Sequence, residues 1–527
     1  AAAARYYGQV LRVDPDNLDL LERATVARFS LGDLPGAARL ARQIEDAGRT
    51  SQIGQLVLLI DAGAQGRFLE IADRINNDRG AGPLSDSLLL GWALLAQGDS
   101  ARALTQFDAA AQTSQMTGLA LYNRGLALTQ LGEFNAAADA LAEARVNSFG
   151  ETRHGVIALA KALSLADRGD EALTLLRDSF ADPQADPQLR PLIAALENGT
   201  PVDISIARSP QDGLAEVFYA IAQILARDSG DAFTLLYARA ATLLRPDHWE
   251  AHLLTAQLLG GLGQFDLAEA AYAGVPTDST LFIDAQAGLS DVLSQTGQMD
   301  AAIAAQRDLA ALHPDFAEIH ANLGDLLRRE DRFAEAEAAY DRALALRAPD
   351  DRTIWSLLFA RAVARERQGN WSAAEADFRA ALALNPDQPQ VLNYLGYSLI
   401  IRGEKLREAL QMIERAVAIR PNSGYIVDSL GWALFKLGDY DAAVVHLERA
   451  AELMPIDPVV NDHLGDALWA VGRVVEARFH WRRALSFHDH ESASEEVDPD
   501  VIRQKLQDGL PDLAENSQGT DPSGQDD

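Results

Sequence analysis

Along most of the chain, short segments in which apolar residues recur at three- and four-residue steps alternate with turns marked by Gly, Asp or Pro. That spacing predicts α-helices, each burying one stripe and leaving the opposite face polar. The segments come in pairs, and the pairs recur: Gly98 and Gly132, Gly263 and Gly297, and Gly431 and Gly465 each stand 34 residues apart. A period of this length predicts helical hairpins stacked in one direction, because a single hairpin cannot bury its apolar face without a neighbour.

The clearest copy is 424–457, with Leu430-Gly431 in a first helix, Leu437-Gly438-Asp439-Tyr440 at a turn, then Ala443, Leu447 and Ala450 in a second helix, and Pro455 at its end. Gly431 and Ala443 are small enough for two antiparallel helices to approach, while Leu430 and Leu434 fill the space between them. Gly438 suits a left-handed helix end, and Pro455 stops the second helix. The flanking copies keep Leu464-Gly465, Gly472, Ala477, Trp481 and Ala484 on one side, and Leu395-Gly396, Gly403, Ala409, Ile413 and Pro421 on the other, with one extra residue after Gly403. This pattern resembles the tetratricopeptide repeat. Copies start near Ala317 and Trp355, weaker ones near Ala215, Trp249 and Ile283, two more span 84–114 and 118–148, and degenerate ones lie near Leu18, Gln52 and Gly155. The expected fold is an all-α superhelical solenoid of about thirteen hairpins.

The boundaries follow the breaks in the pattern. Residues 1–180 form an N-terminal degenerate array that opens in a half-repeat, since Ala3, Tyr7, Val10 and Pro15 read as a second helix without its first. Five prolines (Pro183, Pro187, Pro191, Pro201 and Pro210) within 28 residues predict an irregular hinge or inserted packing segment at 181–213. A second array spans 214–487. In 488–527, acidic residues dominate: 489–527 holds 12 acidic and two basic side chains, a net charge of −10. Val501, Leu506 and Leu510 predict a short capping helix near 498–510, and 515–527 lacks any apolar stripe to bury.

Charge and composition narrow the function. A net charge of −31 repels a phosphate backbone, so nucleic acid is excluded as a direct partner. No run of about 18 apolar residues predicts a transmembrane helix. Zero cysteines exclude disulfides, thiolate metal sites and a Cys nucleophile. The sequence His248-Trp249-Glu250-Ala251-His252 has a helical metal spacing, but its Glu is one place late for a metalloprotease and His248 lies in the turn after Pro246. His488-Asp489-His490-Glu491 belongs to a solvated acidic tail. Gly260-Gly261-Leu262-Gly263 has neither a strand before it nor a Lys after it, so it reads as a helix-ending turn rather than a phosphate loop. Asn198-Gly199-Thr200 matches a glycosylation sequon, which matters only in a glycosylating pathway. No carboxylate dyad is identifiable by spacing. The expectation is a protein without catalytic residues, metal or cofactor.

Repeats of this kind present their first helices along a concave groove. In the last three repeats, the positions one and four after each packing Gly are Tyr397 and Ile400, Trp432 and Phe435, and Asp466 and Trp469, while Asn393, Asp428 and Asp462 precede each Gly by three. Large aromatics with polar rims suit protein recognition, so these nine residues form the expected protein-binding groove. The alternative is that Trp432 and Trp469 fill gaps between repeats.

Residues 393–485, through "NYLGYSL", "GYIVDSLGWALFKLGDYDAAVVHLERAAELMP" and "NDHLGDALWAVGRVVEARFHWRRAL", resemble a family of proteobacterial tetratricopeptide-repeat proteins, some of them outer-membrane lipoproteins. One branch is the adaptor of a periplasmic carboxyl-terminal-processing protease, assembling it and delivering cell-wall hydrolases to it. The resemblance, strong over 214–487, implies a noncatalytic adaptor or scaffold, a periplasmic and outer-membrane-anchored location, that protease and its hydrolase clients as partners, and residues before Ala1 that carry a lipid anchor. Two alternatives stay open. A cytoplasmic adaptor that binds chaperone C-termini needs a clamp of Lys, Arg and Asn, and Lys436 is the only Lys expected near this groove. The other is an enzyme with an unrecognised site.

Overall fold

The computed structural model describes residues 2–510 apart from 84, 114–115, 148–151, 181–182, 184–185, 187, 201, 204–205, 229, 349–350 and 488–496. Among the described residues there are 29 α-helices, one 3-10 turn at Arg352–Ile354, and no strand. Helices begin at Leu18, Gln52, Trp249, Ala317 and Trp355, where the repeat register places them.

The copy at 424–457 shows why the sequence folds this way. Its helices are Gly424–Lys436 and Tyr440–Leu453. Gly438 adopts φ +83° between them, a conformation that costs glycine nothing, and the Asp439 side chain accepts from the Ala442 N–H at 3.2 Å to start the second helix. A Cβ on Gly431 would stand 2.5 Å from Leu447 Cγ, so the crossing exists only because position 431 carries no side chain. Leu447 is wholly buried there, worth about 1.5–3 kcal/mol of transfer free energy. The extra residue after Gly403 is absorbed by Lys405, held at φ +48° before the helix Leu406–Ile419.

The chain divides into two compact units, 1–314 and 315–527. The division falls inside the stretch 214–487 that the repeat pattern reads as one array. In the first unit, the helix Pro210–Asp228 packs across Gln52–Ala64, Asp86–Ala96 and Thr117–Gln130, each the first helix of an N-terminal hairpin. Leu214, Ala215, Glu216, Val217, Phe218, Tyr219, Ala220, Ile221 and Ala222 are all buried. A helix enclosed on every side needs such a run with no polar stripe. The Trp92 ring lies directly against Gly213, where a Cβ would come within 2.3 Å. The N-terminal hairpins thus close on a helix of their own chain. Within 181–213 the described residues include the helix Leu189–Glu197, whose Leu189, Leu192, Ile193 and Leu196 are buried, followed by buried Ile206 and Ala207.

Among its described residues the second unit stacks five hairpins, Ala317–Arg329 with Phe333–Ala345, Trp355–Arg367 with Trp371–Leu384, Pro389–Arg402 with Leu406–Ile419, Gly424–Lys436 with Tyr440–Leu453, and Pro458–Ala470 with Val474–Phe487. The helix Pro499–Asp508 follows them. The expectations for 515–527 and for His488 to Glu491 lie outside the described residues.

Candidate functional site

The nine groove residues are carried by three consecutive first helices of the second unit, Pro389–Arg402, Gly424–Lys436 and Pro458–Ala470. Asn393, Ile400, Asp428, Trp432, Phe435 and Asp466 are buried, and Tyr397, Asp462 and Trp469 are half-buried. Trp432, 8% exposed, stacks on His463 of the next first helix, with ring centroids 3.9 Å apart at 11°, and on Phe435 at 4.9 Å and 6°. Lys436 Nζ lies 4.5 Å from the Trp432 ring centre. Asp428 receives His463 Nδ1 at 3.0 and 3.1 Å on its two oxygens. Burial pushes the His463 imidazole down, but the Asp428 carboxylate, with Asp462 and Asp466 behind it, outweighs burial and raises it above its ordinary value. Trp432 and Asp428 therefore tie one first helix to the next. Asn393 Oδ1 is buried without a hydrogen-bond partner.

The last repeat's share of this face is covered by the chain itself. Lys505 Nζ, from the helix Pro499–Asp508, lies 2.8 Å from Asp462 Oδ2 and 2.8 Å from Asp466 Oδ1. Asp466 also accepts from Trp481 Nε1 at 2.9 Å. Burial and neighbouring Asp462 raise the Asp466 carboxyl, and Lys505 only partly offsets them. A Cβ on Gly509 would stand 2.0 Å from Trp469 Cζ2, so the main chain after this helix lies on that ring, while Val497 and Ile502 are buried in the same cluster. Lys436 is thus not the only lysine at this face. Lys505 arrives from 39 and 43 residues along the chain, outside any repeat register.

A second constellation lies in the first unit. His248 and His252 do not pair: His252 Nε2 faces the Pro246 carbonyl at 3.1 Å, whereas His248, at the start of the helix Trp249–Gly261, turns into the core. There Glu216 Oε1 lies 3.1 Å from His248 Nε2, and Glu216 Oε2 lies 3.1 Å from His154 Nε2 and receives the Tyr122 hydroxyl at 3.2 Å. His248 Nδ1 is 3.3 Å from Glu250 Oε2, with the Ala251 N–H at 3.4 Å. Burial pushes Glu216 up, but His154 and His248 overcome it and hold the carboxyl far below its usual range. Burial likewise pushes His248 down, and Glu216 together with Glu250 more than reverses this, to about 9. His154 and Glu250 also line a cavity of about 490 Å³ together with Lys161, Arg245, Asp247 and Trp249. Sequence reasoning missed this cluster because its members are 62 and 32 residues apart and follow no repeat spacing. The available signal was Glu216, a single charge within the nine-residue apolar run 214–222.

Tetratricopeptide-repeat family profiles match residues 313–490, 88–149 and 154–178. A TPR repeat-containing protein of Pseudomonas aeruginosa is 30% identical over 158 residues, 30% of this chain and 26% of that one. The human protein O-mannosyl-transferase TMTC1 is 28% identical over 142 residues, 27% of this chain and 16% of that one. The chain therefore spans about a quarter or less of the length of these relatives. Among solved structures, that of the APC/C hetero-tetramer Cut9–Hcn1 covers 95% of this chain and 98% of its own at 15% identity and TM-score 0.42. YrrB, described as a TPR protein with an unusual peptide-binding site, covers 35% and 93% at 20% identity and TM-score 0.28. With an all-helical structure, a 34-residue period and profiles of one repeat type across half its length, the chain belongs to the tetratricopeptide-repeat family.

Proposed function

We propose that the protein is a noncatalytic adaptor that binds protein partners on the first-helix face of its second unit. The observation that carries this reading is the helix Pro499–Asp508, seated there by Ile502 and by Lys505 on Asp462 and Asp466. A face that accepts an amphipathic helix of its own chain has the chemistry to accept another, with apolar anchors giving area and acidic groups giving register. Half-buried Tyr397 extends the same face toward the preceding repeat, with Trp432 and Asn393 packed beneath it.

In its finer form, the reading is that the partner is a periplasmic carboxyl-terminal-processing protease, which this chain activates and supplies with cell-wall hydrolases from an outer-membrane-anchored position. The sequence resemblance over 393–485 supports it. The test is direct: pulldown and sedimentation velocity with the protease of the same organism, together with its activity with and without this chain. Binding and a raised rate are expected. Absence of binding in both experiments rejects the protease as partner.

A further inference from the structure

We propose that His154, Glu216 and His248 form a binding site for one divalent first-row transition-metal ion such as Zn(II). Their ligand atoms all lie within 4.8 Å of one another, and all three residues are buried. They come from the helices Arg153–Leu165 and Pro210–Asp228 and from the cap of Trp249–Gly261, so the tertiary fold assembles the set. Glu216 Oε1 and His248 Nε2 stand 3.1 Å apart, yet neither forms an aligned hydrogen bond. Two atoms that are close but not aimed at each other match ligands converging on a third. In a tetrahedral zinc site, bonds of about 2.0–2.1 Å put neighbouring ligand atoms about 3.3 Å apart.

The surroundings match what such ligands require. A metal-bound imidazole donates its other ring N–H to a carboxylate; His248 Nδ1 lies 3.3 Å from Glu250, and metal binding at Nε2 would exchange the long 3.4 Å contact from the Ala251 N–H for that bond. A metal-bound carboxylate is oriented by a donor, and the Tyr122 hydroxyl supplies one. Ion pairs link three carboxylates, Asp212, Glu216 and Asp247, to two guanidiniums, Arg208 and Arg245, while Glu250 pairs with His248. Carboxylates thus outnumber guanidiniums around the site, an excess that a divalent cation offsets. Arg245 Nη1 approaches Glu216 Oε1 at 3.7 Å, but its charge is shared with Asp247 at 3.1 Å and Asp212 at 4.0 Å. Two imidazoles and a carboxylate suit Zn, Co, Ni and Fe(II) rather than Ca or Mg. The cavity beside His154 and Glu250 provides an entry path.

The competing account is that two imidazolium protons, not a metal, neutralise Glu216 and its neighbours. The chelator-treated full chain is titrated with ZnCl₂ by calorimetry and with Co(II) by visible absorption, beside a His488→Asn/His490→Asn variant that removes adventitious tail ligands. Expected are one saturable site per chain in both proteins, a ligand-field Co(II) band, and a thermal midpoint raised by several degrees with one equivalent of Zn(II). His154→Gln, at the cavity edge, should keep the helical spectrum and weaken Zn(II) binding more than tenfold. Should that variant fail to fold, the Co(II) titration of the tail variant decides by itself. No saturable site in the tail variant, or undiminished binding in folded His154→Gln, overturns the proposal in favour of the protonated cluster.

Discussion

Trp432 shows how much one side chain does at the candidate face. It is nearly fully buried and stacked on His463, so Trp432→Ala should cost about 3–5 kcal/mol in urea unfolding. Arg449→Ala, which breaks exposed contacts with Glu452 and Asn422, should stay within about 0.5 kcal/mol. If Trp432→Ala leaves the unfolding midpoint of the second unit where it was, the packing role assigned here is wrong. His463 adds a dependence on pH. Its folded value is raised, so the stability from its pair with Asp428 is fully present below the unfolded value of about 6.5 and is lost as pH rises through the folded value. Urea unfolding across pH 6–9 should therefore lose stability in the wild type, and His463→Gln should flatten that part of the profile. Trp432 lies on a face that the repeat pattern made legible, whereas His463 was not among the positions it singled out. The burial of both was not legible, because the pattern locates a position on its helix but not what the next helix lays over it.

Among the helices, Pro499–Asp508 has the most definite consequence. Lys505→Met removes the cation that two largely buried carboxylates share, and should cost about 1.5–3 kcal/mol. Deleting 516–527 should leave the thermal transition unchanged, because that stretch has no apolar residue to dock. A clear loss on that deletion would mean that the tail contributes to the fold. The helix itself could be expected from Val501, Leu506 and Leu510. Its docking onto Asp462 and Asp466 could not, since a ten-residue amphipathic helix carries no mark of which hairpin it covers. The same holds for Pro210–Asp228. Its register predicts a weak repeat starting near Ala215, and it does pair with Asp231–Leu244 as a hairpin, but it also fills the faces of three earlier first helices.

For the whole molecule, two compact units with their own cores predict two separable folding units. Chains 1–314 and 315–527 expressed apart should each give a cooperative thermal transition and a strongly helical circular dichroism spectrum. A fragment that stays unfolded while the intact chain melts cooperatively would show that the units depend on one another. The cores also differ in origin. The second unit repeats one hairpin contact, a small residue against a large one from the facing helix, as at Gly431 and Leu447. The first combines that contact with a buried helix and a charged cluster that no repeat contains.

The amino-acid order alone determined the helices, their pairing and the 34-residue period, because each follows from contacts between residues close in sequence: caps, left-handed turns and small residues at helix crossings. It also placed Trp432, Asp428 and Asp466 on the first-helix face. Only the tertiary structure decided which faces are covered and which charges meet. Lys505 joined Asp462 and Asp466, and His154, Glu216 and His248 came together, through packing between segments dozens of residues apart. No periodicity in the chain encodes those distances.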